Sequence, residues 1–389
     1  MTMPAFAGQA SIVGAGQTEF SKDAGRSETQ LAAEAILAAL ADAGMTTADV
    51  DGLVSYTIDP VEETELVRTL GIPEVMWSSR VPYGGGGSQG VVQHAAAAVT
   101  SGMAKTVVAY RAIRARSGAR FGAAQTASRP TSSHSGSTAM QWSIPAGLLT
   151  PGSWMSLNST RYMHTYGVTS ADFGRAVVQL REYAASNPNA HFYKRPITLD
   201  DHQASRWIAE PSMRLFDCCQ ETDGSVALLI TAKDRAADTP APVTIAAAAT
   251  AGLFEEEIAS DHYRADLAKM EGSVALAAQL FGNFGIGRDD IDVAMVYDAF
   301  TPVLLMQLEA LGFCGFGEAK DFIADGNLGP SGALPCNTNG GLIGEGYIHG
   351  LNLTLEAVRQ LRGQSPNQIA GAATVLVAAS RTGVILQRP

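Results

Sequence analysis

Two tyrosines in separate stretches carry the strongest chemical signal in this sequence. Tyr347 lies in Cys336–Asn352 (CNTNGGLIGEGYIHGLN), and Tyr297 lies in Val296–Thr301 (VYDAFT). The first stretch holds Gly340, Gly341, Gly344, Gly346 and Gly350 together with Glu345 and His349. Glycine lets a backbone turn tightly and approach a ligand closely. A helix expected over Leu351–Leu361, amphipathic by its pattern, would aim free N–H groups and a positive dipole end at an anion. Such a loop can hold a ligand and stabilise developing negative charge. A free phenol has a pKa near 10, so tyrosine is a natural acid and a poor base at neutral pH. Lowering it by about three units takes roughly 4 kcal/mol of preferential phenolate stabilisation. Loop N–H groups and the helix dipole are expected to supply part of that, which favours Tyr347 as the group whose ionised form is supported. His349 is either a third acid–base group or a cap with a water contact. Asp298 and Glu345 suit orienting or bracing roles better than that of a base.

The elements that must position these residues read as a duplication. Ala10–Gly14 (ASIVG) is a short apolar strand that runs into Gly14-Ala15-Gly16-Gln17-Thr18-Glu19. Glu19 stands where a dinucleotide fingerprint needs its third glycine, so that site is rejected. Ser27 and Gln30 make a plausible capping box. The helix Glu28–Ala43 follows, with Leu31, Ile36, Leu37 and Leu40 as its buried stripe and Gly44 closing it. The run from Gly44 to Tyr56 then matches the run from Gly285 to Tyr297: glycine, apolar, three variable residues, Asp-apolar-Asp, short strand. Each run leads through a further helix to a glycine-rich loop, a helix and an apolar strand. These are Tyr83–Gly90, Val91–Ser101 and Thr106–Tyr110 in the first half. In the second they are Asn339–Gly350, Leu351–Leu361 and Thr374–Ala378. A matched order of elements points to an α/β layered fold with two sheets.

One segment breaks the match. Residues 111–213 have no counterpart in the second half, and a structureless loop of that length is improbable in a compact domain. It holds its own helix, Ser170–Ser186, while Arg111–Ser137 is rich in Ser, Gly, Ala and Arg and reads as mobile. The insertion is expected to cover the site or meet a partner. The chain returns to the core over Asp217–Ala232. The halves are accordingly 1–240 and 241–389.

Composition narrows the function classes. The chain has 389 residues, 46% hydrophobic and 17% charged, with 40 glycines, which suits a well-buried globular protein of two domains. A net charge of −11 argues against nucleic acid or an anionic membrane as main partners. Arg111, Arg114 and Arg116 (RAIRAR) form a basic cluster that could meet a phosphorylated ligand or be a solvated face. Cys218, Cys219, Cys314 and Cys336 form neither a disulfide framework nor a metal motif, so no metal is expected. Cys219 and Cys336 read as buried small hydrophobes. His134, His164 and His191 have no ligand-like spacing. No signal peptide or membrane span is evident, and a cytoplasmic protein is the expectation.

Three stretches, Val296–Thr301, Cys219–Ala227 (CQETDGSVA) and Asn337–Gly350, resemble the thiolase superfamily, in particular its sterol-carrier-protein and lipid-transfer-protein branch. The resemblance implies a thiolase fold: duplicated βαβαβ halves in a five-layer α-β-α-β-α core with a large insertion in the first half. The catalytic positions depart from the family. In Gly87-Ser88-Gln89-Gly90, Gly87 stands where the resemblance places a nucleophilic cysteine. Tyr347 matches the family's Gly-His-Pro histidine, and Tyr297 matches the residue opening its Asn-Glu-Ala-Phe-like motif. Val377–Arg381 offers no final cysteine.

This substitution set resembles a narrower group, the thiolase-like aldolases of steroid side-chain degradation, in which two tyrosines replace the thiolase residues. The resemblance implies retro-aldol cleavage of a steroid-type β-hydroxyacyl-CoA to a ring ketone and a short acyl-CoA such as propionyl-CoA. Tyr297 and Tyr347 would then be catalytic, with His349, Asp298 and Glu345 supporting. Gly87, Gly340, Gly341 and Gly346 would line the substrate, and backbone N–H groups of the two glycine loops would stabilise the enolate. No cofactor is implied beyond the CoA of the substrate. The implied partner is a small DUF35-type OB-fold protein, which can carry zinc, on a homodimer to give a heterotetramer. A Claisen-type acyltransferase and a non-catalytic lipid-binding subunit are the alternative readings.

Overall fold

The computed structural model describes residues 4–82, 85–118, 120, 122–123, 143–253, 262 and 264–389. Strand β1 (Ala10–Gln17) leads into helix α1 (Glu28–Ala43), then β2 (Gly52–Tyr56), α2 (Glu63–Leu70), β3 (Trp77–Val81), α3 (Gly90–Thr100) and β4 (Thr106–Arg114). The insertion contributes α4 (Pro151–Tyr166), α5 (Ser170–Ser186) and a small hairpin of β5 (Trp207–Ala209) and β6 (Met213–Arg214). Strand β7 (Asp223–Ala232) returns to the core. The remaining elements are β8 (Val243–Thr250), α6 (Glu271–Asn283), β9 (Val293–Val296), α7 (Thr301–Leu311), α8 (Leu351–Arg362), β10 (Thr374–Ala378) and β11 (Thr382–Gln387).

The core strands form one continuous nine-stranded sheet, and not the two expected, because β1 pairs with β8; the order is β3-β2-β4-β7-β1-β8-β11-β10-β9. The two sides correspond outward from the β1–β8 junction: β7 and β11, β4 and β10, β2 and β9 are counterparts, and β3 extends the first side alone. The directions match as well. β2 is parallel to β4 and β9 to β10, whereas β4–β7 and β10–β11 are antiparallel. The two sets of strands meet through only two residue pairs, Ser11 with Thr244 and Ile12 with Val243. Three apolar clusters set the layers. One packs α1 on the first set of strands, one packs α5, α6 and α7 on the second, and the third lies between the two sets around α3 and α8. Five layers result.

The duplicated run has a physical basis. Gly44 and Gly285 both end a helical stretch at positive φ, 68° and 69°. Asp49 and Asp290 each cap the following 3₁₀ turn, accepting from Thr46 N and Gly287 N. Asp51 accepts from the backbone of Lys105 and Thr106 at the foot of β4; Asp292 accepts from Ala373 and Thr374 at the foot of β10. Each Asp-apolar-Asp motif therefore ties one strand to the next parallel strand in its sheet.

Several local expectations need correction. Leu37 is half exposed and lies off the buried stripe of α1. Ser27 Oγ caps Gln30 N, but the Gln30 side chain turns to Glu34, so no reciprocal box forms. Helix α8 is not amphipathic in effect. Ten of its twelve residues are buried, Glu356 and Gln360 included, because it runs between the two sets of strands and has no solvent face to spare. Arg111–Arg114 belong to β4, so the insertion begins after Arg114. His134 and residues 124–137 of the segment read as mobile lie outside the described residues.

Candidate active site

Strand β9 ends at Val296, and the backbone of Tyr297 stays in register by donating to Ala378 O of β10. Gln307 of α7 donates to Tyr297 O. The Tyr347 N–H donates to Thr222 Oγ1, and Tyr347 bridges Glu221 in a strand-like contact. Tyr297 is thus held by its own half and Tyr347 by the chain segment before β7. Their hydroxyl oxygens are 3.1 Å apart, with 7% of Tyr297 and 9% of Tyr347 exposed, so the pair is nearly enclosed.

The space between them is glycine-dependent. A side-chain carbon on Gly85 would fall on the Tyr297 hydroxyl, and one on Gly350 would meet Tyr297 at 3.1 Å and Ser88 Oγ at 3.0 Å. Sequence reasoning selected Gly87 here. A side-chain carbon on Gly87 would instead lie 2.5 Å from the Pro82 carbonyl, so that glycine serves the turn before α3. Gly340, at φ +100°, packs on Ala184 of α5; Gly341, at φ +66°, leaves room for the Asp298 carboxylate; Gly346 packs on the Phe20 ring. These three let the insertion helix, an acid and an aromatic ring approach the loop.

Six of the expected oxyanion donors of this loop, the N–H groups from Gly340 to Glu345, are already engaged. Gly340 N donates to Asn337 O, Gly341 N to Asn339 Oδ1, Gly344 N to Gly340 O and Glu345 N to Gly341 O. Leu342 N and Ile343 N donate to Asp298. Asp298 thereby braces the loop from the Tyr297 side, and burial lifts its carboxyl to about 7 against the pull of those N–H groups. Glu345 is a second brace. It accepts from Asn187, Asn339 and Asn352, and burial lifts it to about 7 while Arg359 opposes that rise. Neither acid touches the tyrosine hydroxyls in the hydrogen bonds described.

The electrostatics differ from the expected helix-dipole scheme. Burial raises both phenols, and at Tyr297 the neighbouring Tyr347, Cys219 and Asp298 push the same way. For Tyr347, burial and Cys219 raise the pKa, while the hydrogen bond from Tyr297 and the charge of Arg111 act the other way. Cys219 sits beside the pair, but burial holds its thiol well above its ordinary range, so it is no ready nucleophile. His349 stands edge-on to Tyr347, ring centres 5.0 Å apart. Its Nδ1 accepts from Arg111 Nε at 2.9 Å, and burial beside that cation holds it neutral.

Sequence reasoning placed Arg111 in a basic cluster and not beside His349, and it did not single out Asp59. Arg111 is buried and paired with Asp59 at 2.7 Å, so the RAIRAR stretch is no uniform basic face. A signal was present: alternation along β4 puts Arg111 on the face of Val107, Ala109 and Ile113, which all belong to the central apolar cluster. Among the described residues, no group of three His, Cys, Asp or Glu side chains is placed to hold a metal, and no helix is long and apolar enough to cross a membrane.

Comparison with known proteins finds relatives along the whole chain. Residues 247–388 match the family described as thiolase C-terminal domain-like. The chain is 51% identical over 383 residues to the steroid side-chain-cleaving aldolase of Thermomonospora curvata, covering 98% of this chain and 97% of that protein. It is 51% identical over 378 residues to the 17-hydroxy-3-oxo-4-pregnene-20-carboxyl-CoA lyase of Mycobacterium tuberculosis, covering 97% of each. The solved Ltp2-ChsH2(DUF35) aldolase superposes with a TM-score of 0.93 at 48% identity, covering 99% of both chains. Human mitochondrial 3-ketoacyl-CoA thiolase superposes at 0.70 with 14% identity over 99% of this chain and 100% of that one, a likeness of fold alone. Half of the residues are shared with two such relatives over nearly the whole length, and the chain belongs to the thiolase-fold family of steroid side-chain-cleaving aldolases.

Proposed function

We propose that this protein is a carbon–carbon lyase that cleaves a steroid-type β-hydroxyacyl-CoA by a non-covalent retro-aldol reaction at Tyr297 and Tyr347. The observation that carries the reading is the hydroxyl pair, 3.1 Å apart beside Gly85, in a chain half identical to two steroid side-chain enzymes. One phenolate takes the proton of the tertiary ring hydroxyl. The oxygen electrons form the ring ketone as the bond between the α- and β-carbons breaks. That bond's electrons pass to the thioester as an enolate, and the other phenol protonates its α-carbon. One proton is taken and one is given, so the Tyr–Tyr hydrogen bond resets the pair. No acyl-enzyme forms, in keeping with a glycine loop that has no room for a side chain at Gly85.

A 17-hydroxy substrate with a methyl-bearing α-carbon would release propionyl-CoA and a 17-ketone. This reading needs no cofactor beyond the CoA of the substrate, and any zinc belongs to the partner. The partner is a small DUF35-type OB-fold protein, supported by the complex named for the solved relative. Two copies of each chain would form a heterotetramer around a homodimer of this one, acting in the cytoplasm.

The test is incubation of the protein, with its partner, with a steroid acyl-CoA bearing a tertiary hydroxyl β to the thioester. Stoichiometric ketone and propionyl-CoA support the proposal. Acyl transfer to free CoA, or binding with no product, would instead favour the Claisen-type or lipid-binding readings.

A further inference from the structure

Arg111 is the one residue of β4 on the central face that is charged, and its surroundings are arranged to use that charge. Its Nη1 donates to Asp59 Oδ2 at 2.7 Å and to Ala112 O at 2.8 Å. Its Nε donates to His349 Nδ1 at 2.9 Å. A guanidinium has donors only and keeps its charge. The lone pair on His349 must therefore be at Nδ1, and the neutral ring carries its proton on Nε2. His349 also holds φ at +50°, a conformation that costs a non-glycine residue of order 1 kcal/mol or more and persists where surrounding contacts enforce it. Arg111 is one such contact. Asp59 is itself fixed, accepting from the backbone of Val61.

We propose that Arg111, anchored by Asp59, is a positioning residue of the tyrosine site: it locks His349 as an Nε2–H donor and sets a positive charge that makes Tyr347, rather than Tyr297, the phenol that ionises. This rests on the retro-aldol reading above and adds the direction of proton flow. Tyr347 takes the ring-hydroxyl proton and Tyr297 delivers one to the α-carbon. The groups bearing on Tyr347 are Tyr297, Cys219, Glu221, Arg111 and His349, and only Arg111 among them is cationic. Asp298 bears on Tyr297 and opposes its ionisation.

The experiment reads Tyr347 directly. Ultraviolet phenolate titration of the folded protein, minus that of Tyr347→Phe, isolates this hydroxyl. In Arg111→Met its titration is expected to move alkaline by about a unit or more, with the pH–kcat profile moving with it. The loss would be at least tenfold at neutral pH and would shrink as the pH rises. Asp59→Asn removes the opposing negative charge, so it should move the same titration in the acid direction, a change of sign that structural damage does not mimic. Arg111→Lys keeps the charge and should stay near wild type in titration. It also serves, with Asp59→Asn, if the Met variant does not fold. Unmoved titrations in Arg111→Met and Asp59→Asn would overturn the proposal, as would an Arg111→Lys titration displaced as far as that of Arg111→Met. An active Tyr347→Phe enzyme would overturn the retro-aldol assignment itself. An inactive Tyr347→Phe beside unmoved Arg111 and Asp59 variants would sink the Arg111 role alone.

Discussion

Gly85 and Tyr297 occupy one another's space: the position a side chain would take at residue 85 is the position of the Tyr297 hydroxyl. The site therefore keeps the tyrosine only while residue 85 stays bare. Gly85→Ala should push the hydroxyl out of line with Tyr347. A misplacement of about 1 Å costs on the order of 10²-fold in rate, so kcat should fall by that much while the melting temperature stays near wild type. Gly86→Ala is the control. Its added carbon would meet Ser380 at 3.6 Å, an ordinary contact, and activity should be retained. Equal losses in both variants would mean that the loop, and not the Tyr297 hydroxyl, is being disturbed.

Removing either hydroxyl should stop the reaction without unfolding the protein. Tyr297→Phe and Tyr347→Phe each delete one member of the acid–base pair, and a positioned acid or base contributes typically about 10² to 10⁴-fold. Leaving the partner hydroxyl unsatisfied costs about 1–3 kcal/mol of stability. The residual activities should differ in pH dependence. Burial raises both phenols, so wild-type kcat should climb as the pH rises above neutral and the phenolate fraction grows. Tyr297→Phe also removes a hydrogen bond that supports ionised Tyr347, so its residual profile should move further alkaline. Tyr347→Phe should lose the climb. Stopped-time product assays across the pH range would separate the two.

How much of this was legible beforehand follows from how local each cause is. The duplicated Asp-apolar-Asp runs were readable because in each the first aspartate caps a turn three residues away and the second ties to the next strand. The tyrosines were readable by their motif positions. The glycine roles were not. A missing side chain shows in sequence, but what occupies the vacated space lies far along the chain: Ala184 at Gly340, Phe20 at Gly346, Tyr297 at Gly85. Arg111 was misread for a related reason. Its neighbours Arg114 and Arg116 suggest a surface cluster, and the acid that neutralises it, Asp59, is in another loop. Amphipathicity also misled at α8, because a helix between the two sets of strands buries its polar side chains in a network such as Glu356 with Thr338, Gln360 and Ser365.

The two buried braces should make stability fall as the pH rises. Asp298 and Glu345 have folded pKa values raised to about 7, above ordinary values of 3.8 and 4.5. Between those limits the folded state binds more protons than the unfolded one, so unfolding free energy decreases with pH. The contribution is fully present below the unfolded values and lost as the pH passes through about 7. Denaturant midpoints should decline from mildly acidic pH to slightly above neutral and then level off, as far as these two groups are concerned. Asp298→Asn and Glu345→Gln should each reduce that slope while lowering stability at acidic pH, because neither amide reproduces all the accepted bonds. A slope unchanged in the double variant would assign it to other groups.

The duplication itself can be tested energetically. Asp51 and Asp292 perform the same task, each accepting from two successive backbone N–H groups at the foot of the next parallel strand. A hydrogen bond to a charged acceptor is worth about 1.5–3 kcal/mol, and partial exposure lets water recover part of it. Asp51→Ala and Asp292→Ala should therefore each cost about 1–3 kcal/mol. Six strands lie between β2 and β9 in the sheet order, seven steps or roughly 33 Å along the sheet at the usual strand spacing. At that distance the losses should add within about 0.5 kcal/mol. Urea unfolding of the two single variants and the double variant measures this. Matching single costs that sum in the double would show two copies of one structural device working independently. A strong coupling would mean instead that the short β1–β8 junction transmits strain from one half to the other.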